Sequence, residues 1–433
     1  MLKVYSVSLG CPKNRVDTEH LLGSLGLAVR PVDKLGHAQV VLINTCGFIQ
    51  PAVEESVRTI MDAVRHRESL KRRPLLVVAG CMVGRYGVPE LAAELPEVDL
   101  WLPNDNLAQW PSLLCRALGL GAAVPGRLLS TGPSYAWLKI SDGCRHACSF
   151  CTIPSIRGRH RSTPAEVLVP EAQQLLDAGV KELVLVAQDV TAWGEDLPTR
   201  GGKAQNLVSL LEQILPLRGL ARLRLLYLYP AGITTELLHF MRQAGPSMLP
   251  YFDVPVQHAH DAILSRMGRP FARDPRVVLN RIREVLPEAA LRTSLIVGFP
   301  GETEQHFAAL QAFVDDMCFA HLGVFAYRAE EGTPAADMPD QVEDAVKEWR
   351  RDSIMEQQAD ISAAFLAQFD GQRLSILVDA PHPEWPGLHV GRAWFQAPEI
   401  DGLTYISGPG VRPGALVDAD IVETHDYDLN ALT

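Results

Sequence analysis

The chain has 433 residues, 47% of them hydrophobic and 21% charged, with a formal net charge of −11. That length exceeds one ordinary domain and suggests two or three, and eight cysteines in so long a chain exclude a secreted disulfide framework. The opening MLKVYSVSLG lacks the parts of a signal peptide, and no apolar run nears the roughly 20 residues that cross a bilayer. The expectation is a cytoplasmic protein with no membrane partner.

The predicted elements begin as a βα rhythm. Residues 3–9, 40–44 and 75–79 read as strands, with helices near 15–25 and 53–67 between them. This order implies a parallel sheet with helices on both faces. Each strand is followed almost at once by a cysteine: Cys11, Cys46 and Cys81. Ligands gather at the carboxyl ends of such strands, so three cysteines distant in sequence can converge there.

A Gly/Pro-rich stretch, 119–132, reads as a linker. Beyond it, candidate strands at 136–140, 183–187, 223–228, 252–256, 291–297 and 321–325 form six βα units in series, which suggests a partial or complete barrel. A polar helical segment covers about 340–369. From about 371 onward, short alternating runs broken by Pro and Gly read as a small β-barrel. The expected divisions are 1–125, 130–366 and 367–433.

The sharpest chemical signal is CRHACSFC, in which Cys144, Cys148 and Cys151 form a C-x3-C-x2-C triplet after the first strand of the second segment. Thiolates are the usual protein ligands of a cubane iron–sulfur cluster. Three of them hold three corners and leave one iron open to chelate the amino and carboxylate groups of S-adenosylmethionine (SAM). Electron transfer into the sulfonium bond then yields a radical able to abstract hydrogen from unactivated carbon, chemistry that belongs to the cofactor. A zinc site is the competing reading, although zinc normally takes four closed ligands. Cys11, Cys46 and Cys81 read either as a second such triplet or as buried structural thiols. Cys115 and Cys318 read as core residues.

Several softer positions follow from strand ends and turns. Gly298, Gly301 and Glu302 form a glycine turn after a strand, where backbone can approach a nucleoside. Gln188 and Asp189 end the second barrel strand, and Gln257 and His258 the fourth, where barrel enzymes place their sites. His258 reads equally as a hydrogen-bonded core histidine. Arg157, Arg159, His160 and Arg161 form a basic run that is either a solvated loop or a clamp for a substrate carboxylate.

Phe150 before the last cysteine completes a motif that resembles the radical SAM superfamily. SLGCPKNRVDTEHLLG, NTCGFI, AGC, SDGCRHACSFCTIPSIRGRHRS, VPVQHAHDAILSRMGRP, SLIVGFPGET and FAYRAEEGTPA together resemble its methylthiotransferase family across nearly the whole chain. The resemblance implies two [4Fe-4S] clusters, one on Cys144, Cys148 and Cys151 and one on Cys11, Cys46 and Cys81. It also implies SAM contacts from Phe150, Gln188, Gln257, Gly298, Gly301 and Glu302. An external flavodoxin- or ferredoxin-like electron donor and a monomeric enzyme are expected.

Within the family the chain is most similar to the branch that methylthiolates an aspartate β-carbon in protein twelve of the small ribosomal subunit. A MiaB-type tRNA methylthiotransferase and a non-catalytic iron–sulfur or zinc adaptor are the alternatives. The last segment resembles the TRAM barrel with which this family grips substrates, yet holds only Arg373, Arg392 and Arg412 against ten acids. Glu399, Asp401, Asp418, Asp420, Asp426 and Asp428 are expected to repel RNA and attract a basic protein, which disfavours tRNA.

Overall fold

The computed structural model describes residues 1–26, 29–202, 204–269 and 274–433. Pro270, which ends one of the motifs above, lies outside the described residues. Among the described residues no helix is long and apolar enough to cross a membrane.

The first segment builds a five-stranded parallel sheet of β1 (Leu2–Ser8), β2 (Val29–Pro31), β3 (Val40–Thr45), β4 (Leu75–Gly80) and β5 (Leu100–Leu102), in the order β2-β1-β3-β4-β5. The central strands are mainly apolar and buried but for Leu75, as a sheet covered by helices on both faces requires. Register carries the functional consequence. Asn44 pairs with Ser8 on one side and with Ala79 on the other. The three strands therefore end level, and Cys11, Cys46 and Cys81 leave the sheet at one edge.

Residues 119–132 have no regular structure, but they are tied to the helix Pro12–Gly23. Arg127 pairs with Glu19 at 2.7 Å, and Leu128 N–H donates to the Glu19 carbonyl. The linker is a largely exposed strap anchored by the buried Arg127 side chain.

The central segment contains six parallel strands in chain order: β6 (Tyr135–Lys139), β9 (Glu182–Val186), β10 (Arg222–Leu225), β11 (Tyr251–Asp253), β12 (Ala290–Val297) and β13 (His321–Ala326). They form two three-stranded sheets, joined where Leu223 bridges Met248 and where Leu228 N–H donates to the Asp253 carbonyl. Between β6 and β9 a short antiparallel pair, β7 (Ser141–Asp142) and β8 (Arg161–Ser162), staples the two ends of the cysteine loop. The helix Asp344–Ala367 packs on β13.

Alternation along the strands sorts the core into two faces. Ala136, Leu138, Leu183 and Leu185 join one large cluster with the surrounding helices. Tyr135, Trp137, Val184 and Val186 point the other way, into a second cluster with Ile376, Val378, Phe395 and Ile406. Those last residues belong to the C-terminal closed barrel of β14 (Arg373–Pro381), β15 (His389–Arg392), β16 (Thr404–Ser407), β17 (Leu416–Thr424) and β18 (Leu429–Leu432). Its pairings are antiparallel except β16 with β18.

Ion pairs fasten this joint. Glu182 accepts from Arg224 at 2.7 Å and from Arg392 of the small barrel at 2.8 Å, with all three side chains buried. Two acids expected to repel RNA lie at this joint, Asp401 with its side chain buried and Glu399 still exposed. Asp401, its side chain 1% exposed, accepts from Tyr251 Oη at 2.7 Å and lies 3.3 Å from Arg292. Glu399 accepts from Tyr135 Oη at 2.6 Å and pairs with Arg15. Both carboxylates hold the barrel to the rest of the chain, because the loop between β15 and β16 faces the central strands. Asp428 likewise accepts from the Leu403 backbone at 2.7 Å. Asp418, Asp420 and Asp426 are exposed as expected.

Glu182→Gln strands the buried Arg224 guanidinium, leaves Arg392 with Asp379 alone, and is expected to cost about 3–5 kcal/mol. Breaking the exposed Arg373–Asp420 pair with Arg373→Gln should cost no more than about 1 kcal/mol. Burial opposes the charge on Glu182, but Arg224 and Arg392 prevail and bring its carboxyl from 4.5 to about 2. A depressed carboxyl stabilises fully above 4.5, and that contribution is lost as pH falls toward 2. Thermal denaturation of both variants across this range checks the magnitude and the sign.

Candidate active site

The N-terminal thiols converge at the sheet edge. Cys11 caps the helix Pro12–Gly23, Cys46 follows β3 by one residue, and Cys81 opens the helix Cys81–Tyr86. Two glycines allow the close approach. A Cβ on Gly10 would lie 2.8 Å from Cys46 Sγ, and one on Gly80 would lie 2.2 Å from Asn44 Oδ1; both have positive φ. Each thiol lies within electrostatic reach of the other two.

Burial pushes the Cys46 thiol up to about 11 and raises Cys81 as well. Cys11 is the exception: burial alone would raise it, but Lys13 and Arg157 outweigh burial and bring it below its ordinary value. Backbone N–H groups turn toward two of the sulfurs, those of Lys13 and Asn14 toward Cys11 and those of Gly47 and Phe48 toward Cys46.

The second triplet sits on the loop stapled by β7 and β8. Its thiols also act on one another, and burial raises all three, Cys151 to about 12. The N–H groups of Arg145 and His146 face Cys144, that of Ile153 faces Cys151, and Arg269 lies within electrostatic reach of Cys148 and Cys151. Among the described residues no three His, Cys, Asp or Glu side chains close around a point as a single ion demands. Two triplets of mutually facing thiols, with backbone N–H groups at two sulfurs of the first and all three of the second, fit the donor set of a cubane cluster with one open corner. Metal uptake by such raised thiols releases protons.

The seam between the triplets is built from charge. Arg157, its side chain 2% exposed, donates to Asp142 at 3.0 Å and to Asp17 at 3.2 Å, and also reaches Asn14. Lys139 pairs with the same two carboxylates. Burial would raise Asp142, but Lys139 and Arg157 hold it well below the usual carboxylate range. Arg157 therefore serves neither alternative read from the sequence, being neither solvated nor free for a substrate. Arg159 and Arg161 are exposed, while His160 lies 3.5 Å from Asp196. Farther along the seam, Arg85 pairs with Glu330 at 2.9 Å and Thr152 Oγ1 donates to the Phe48 carbonyl at 2.9 Å.

The strand-end residues take distinct places. Gln188 donates to Asp142 at 3.2 Å, and its buried Oε1 has no hydrogen-bond partner. Gln257 has φ 72° and bridges Leu295, a strained backbone at a strand end. Phe150 packs edge-on to Phe299, centroids 6.4 Å apart. Gly298 and Gly301 have φ of 70° and 83°. Glu302 turns inward: its carboxylate accepts from Gly298 N–H at 2.8 Å and from Arg350 at 2.9 Å, so it shapes the turn. His258 is wholly buried and its Nδ1 accepts from His260 N–H at 2.9 Å, as a core histidine does.

Cys115 is buried as expected, but Cys318 is exposed, because it ends the helix Glu304–Met317 in a left-handed turn with φ 40°. Sequence reasoning passed over His146, between the first two cysteines of the loop. Its ring donates to Asp189 at 2.7 Å and stacks on Tyr229 at 3.5 Å, and it lines a cleft of about 530 Å³ beside the loop. Its position inside the C-x3-C spacing was the available signal.

Residues 3–103 match the uncharacterized protein family UPF0004, residues 138–314 the radical SAM superfamily, and residues 371–433 the TRAM domain. A radical SAM methyltransferase of Kitasatospora setae, TsrM, solved with cobalamin and a [4Fe-4S] cluster, shares the fold at TM-score 0.56 and 14% identity, over 90% of this chain and 80% of that one. The ribosomal protein uS12 methylthiotransferase RimO of Nitratidesulfovibrio vulgaris is 71% identical over the full length of both chains. The proteins of that name from Lawsonia intracellularis and Syntrophus aciditrophicus are 56% and 45% identical, over 100% and 99% of this chain and 98% and 97% of theirs. With three matched regions in one order and identity that runs from end to end, the chain belongs to the RimO family of radical SAM methylthiotransferases.

Proposed function

We propose that this enzyme adds a methylthio group to the β-carbon of an aspartate in ribosomal protein uS12, in the cytoplasm. The observation that carries the reading is the meeting of two open thiol triplets at one seam, in a chain of this family. Cys144, Cys148 and Cys151 would hold the cluster that binds SAM, and Cys11, Cys46 and Cys81 a second [4Fe-4S] cluster that presents sulfur. When bound, the first cluster and SAM supply a radical able to take hydrogen from carbon. The protein's own share is to hold and shield. Asp189 orients His146 inside the first loop, Phe150 and Phe299 wall it, and Gln188, Gln257, Gly298 and Gly301 line the strand ends toward SAM, with Glu302 bracing the turn. In this reading residues 1–125, 130–366 and 367–433 carry the second cluster, the radical chemistry and substrate docking. A flavodoxin- or ferredoxin-like donor supplies electrons to the monomer.

The exposed acids Asp418, Asp420, Glu423 and Asp426 favour a basic protein over RNA. Glu399 stays exposed but is committed to Tyr135 and Arg15, and Asp401, its side chain buried, drops out of the steering charges.

Anaerobically prepared enzyme is expected to carry about eight irons, about four per cluster, and Ala at Cys144, Cys148 and Cys151 should halve that. The same variant should lose reductive SAM cleavage altogether. Ala at Cys11, Cys46 and Cys81 should lose methylthio transfer, read by mass spectrometry of uS12, while some SAM cleavage survives. N-terminal variants that still transfer at the wild-type rate would reduce that triplet to a structural role.

Amides at Asp418, Asp420 and Asp426, with Glu423→Gln, are expected to slow association with uS12 mainly in the on-rate. The effect should shrink as salt shortens the Debye length below about 8 Å. Stopped-flow binding to uS12 and to bulk tRNA checks this; tighter tRNA binding with unaltered uS12 association would favour the RNA substrate.

A further inference from the structure

We infer that the exposed ring of Trp385, on the hairpin loop between β14 and β15, is a docking site for an arginine or lysine side chain of the protein substrate. The inference rests on the proposed uS12 reading and deepens it, by naming where the small barrel grips its partner rather than steers it.

The loop is built to hold this ring outward. Pro383 and Pro386 flank Glu384 and Trp385 and restrict the backbone of the turn. His382 Nδ1 accepts from the N–H groups of both Glu384 and Trp385 at 3.2 Å. Two further bonds close the loop: His382 N–H donates to the Leu388 carbonyl, and Leu388 N–H to the Trp385 carbonyl. The His382 ring stacks on Trp385 with centroids 5.2 Å apart and lies 5.9 Å from Tyr405. Trp385 nevertheless stays 63% exposed. A loop closed by its own backbone gains nothing from an indole left in water, whereas a rigid exposed indole is the kind of anchor that protein interfaces favour.

Charge names the occupant. On β16 the buried Thr404 and Ile406 point into the barrel, so Tyr405 between them faces out. Tyr405 pairs with Asn430, and Asn430 pairs with Glu423 and donates to its carboxylate at 2.6 Å. The outer wall thus runs as one stripe from the rings to an acid, with Glu384 exposed at the other end. Cations are scarce around it. No lysine follows Lys347 in the chain. Arg392 is buried against Glu182 and Asp379, and Asp420 holds Arg373, which leaves Arg412 as the one exposed arginine of this barrel without an ion pair among the described residues. Elsewhere the chain covers rings with its own cations: Arg392 lies over Tyr135, Arg224 over Tyr251 and Arg350 over Phe307. Among the described residues no cation lies over Trp385 or Tyr405. An open indole face flanked by carboxylates attracts a guanidinium or ammonium through both its quadrupole and the surrounding field. RNA would find rings to stack on but almost no cation for its phosphates.

The test measures binding kinetics of the full-length holoenzyme with uS12 by biolayer interferometry. Trp385→Ala should weaken uS12 binding by about three- to thirtyfold, the span of a cation–π contact from exposed to desolvated, mainly through a faster off-rate. Trp385→Phe, which keeps a ring, should recover part of the loss. Wild-type iron content and melting temperature in both variants report that the fold is intact. Neutralising the exposed acids acts on the on-rate instead, so the two effects separate kinetically. A short arginine-rich peptide should compete with uS12 for wild type and lose affinity for Trp385→Ala by a similar factor, while a glutamine-rich peptide of equal length should not compete. Equal uS12 off-rates in wild type and Trp385→Ala would overturn the assignment. So would weaker binding of bulk tRNA to Trp385→Ala with uS12 unaltered, the mark of a ring that stacks on bases. Peptide binding indifferent to Trp385 overturns it whichever macromolecule is modified. If wild type modifies tRNA and not uS12 while the peptide still depends on Trp385, the site for a basic side chain stands and the uS12 reading alone falls.

Discussion

The architecture depends on one shared buried charge cluster. Arg157 comes from the loop of the second triplet, Asp17 from the helix behind the first, and Lys139 and Asp142 from the end of β6 and the staple. Two cations against two carboxylates leave no net charge to desolvate, so removing any one partner is far worse than never having built the set. Because the members come from both segments, this neutrality forces the two cysteine edges to face each other. Distance between the thiol triplets is thus set by side-chain hydrogen-bond length, a tighter constraint than apolar packing gives.

Much of this was legible in the sequence, for a physical reason. The strands β3, β4 and β9 are near-continuous apolar runs, and parallel sheets demand them. Cysteines just after such strands must meet, since parallel strands end on the same side. The second loop announced itself by spacing alone. What failed was anything decided by tertiary pairing. Glu399 and Asp401 looked like solvated acids, and nothing local shows that Tyr135, Tyr251 and Arg292 await them across the joint. Arg157 looked like part of a basic run, and its carboxylates lie 15 and 140 residues away. Glu302 followed a glycine turn and turned inward, toward Arg350 of a helix far along the chain. The short strands β2, β5, β15, β16 and β18 carry too few residues for alternation to register.

The two barrels share a core rather than a surface. Trp137, Val184 and Tyr251 line one face of the central strands, and Phe395 and Ile406 cover it from the small barrel. Phe395 in turn stacks on Phe369, centroids 4.5 Å apart, just past the long helix. Substrate docking and radical chemistry are therefore mechanically continuous: a load on the small barrel reaches β9 directly through Glu182 and Arg392.

That shared core also bears on how the molecule is made. The side chains that cover Trp137 and Val184 are the last to be synthesised, some 200 residues or more downstream. Until they emerge, the nascent central barrel carries an open apolar face, and Glu182 has Arg224 but not yet Arg392. A chain truncated before residue 371 would keep every cysteine and still lack a finished interior. The interior of the central barrel is thus closed only by the last residues of the chain.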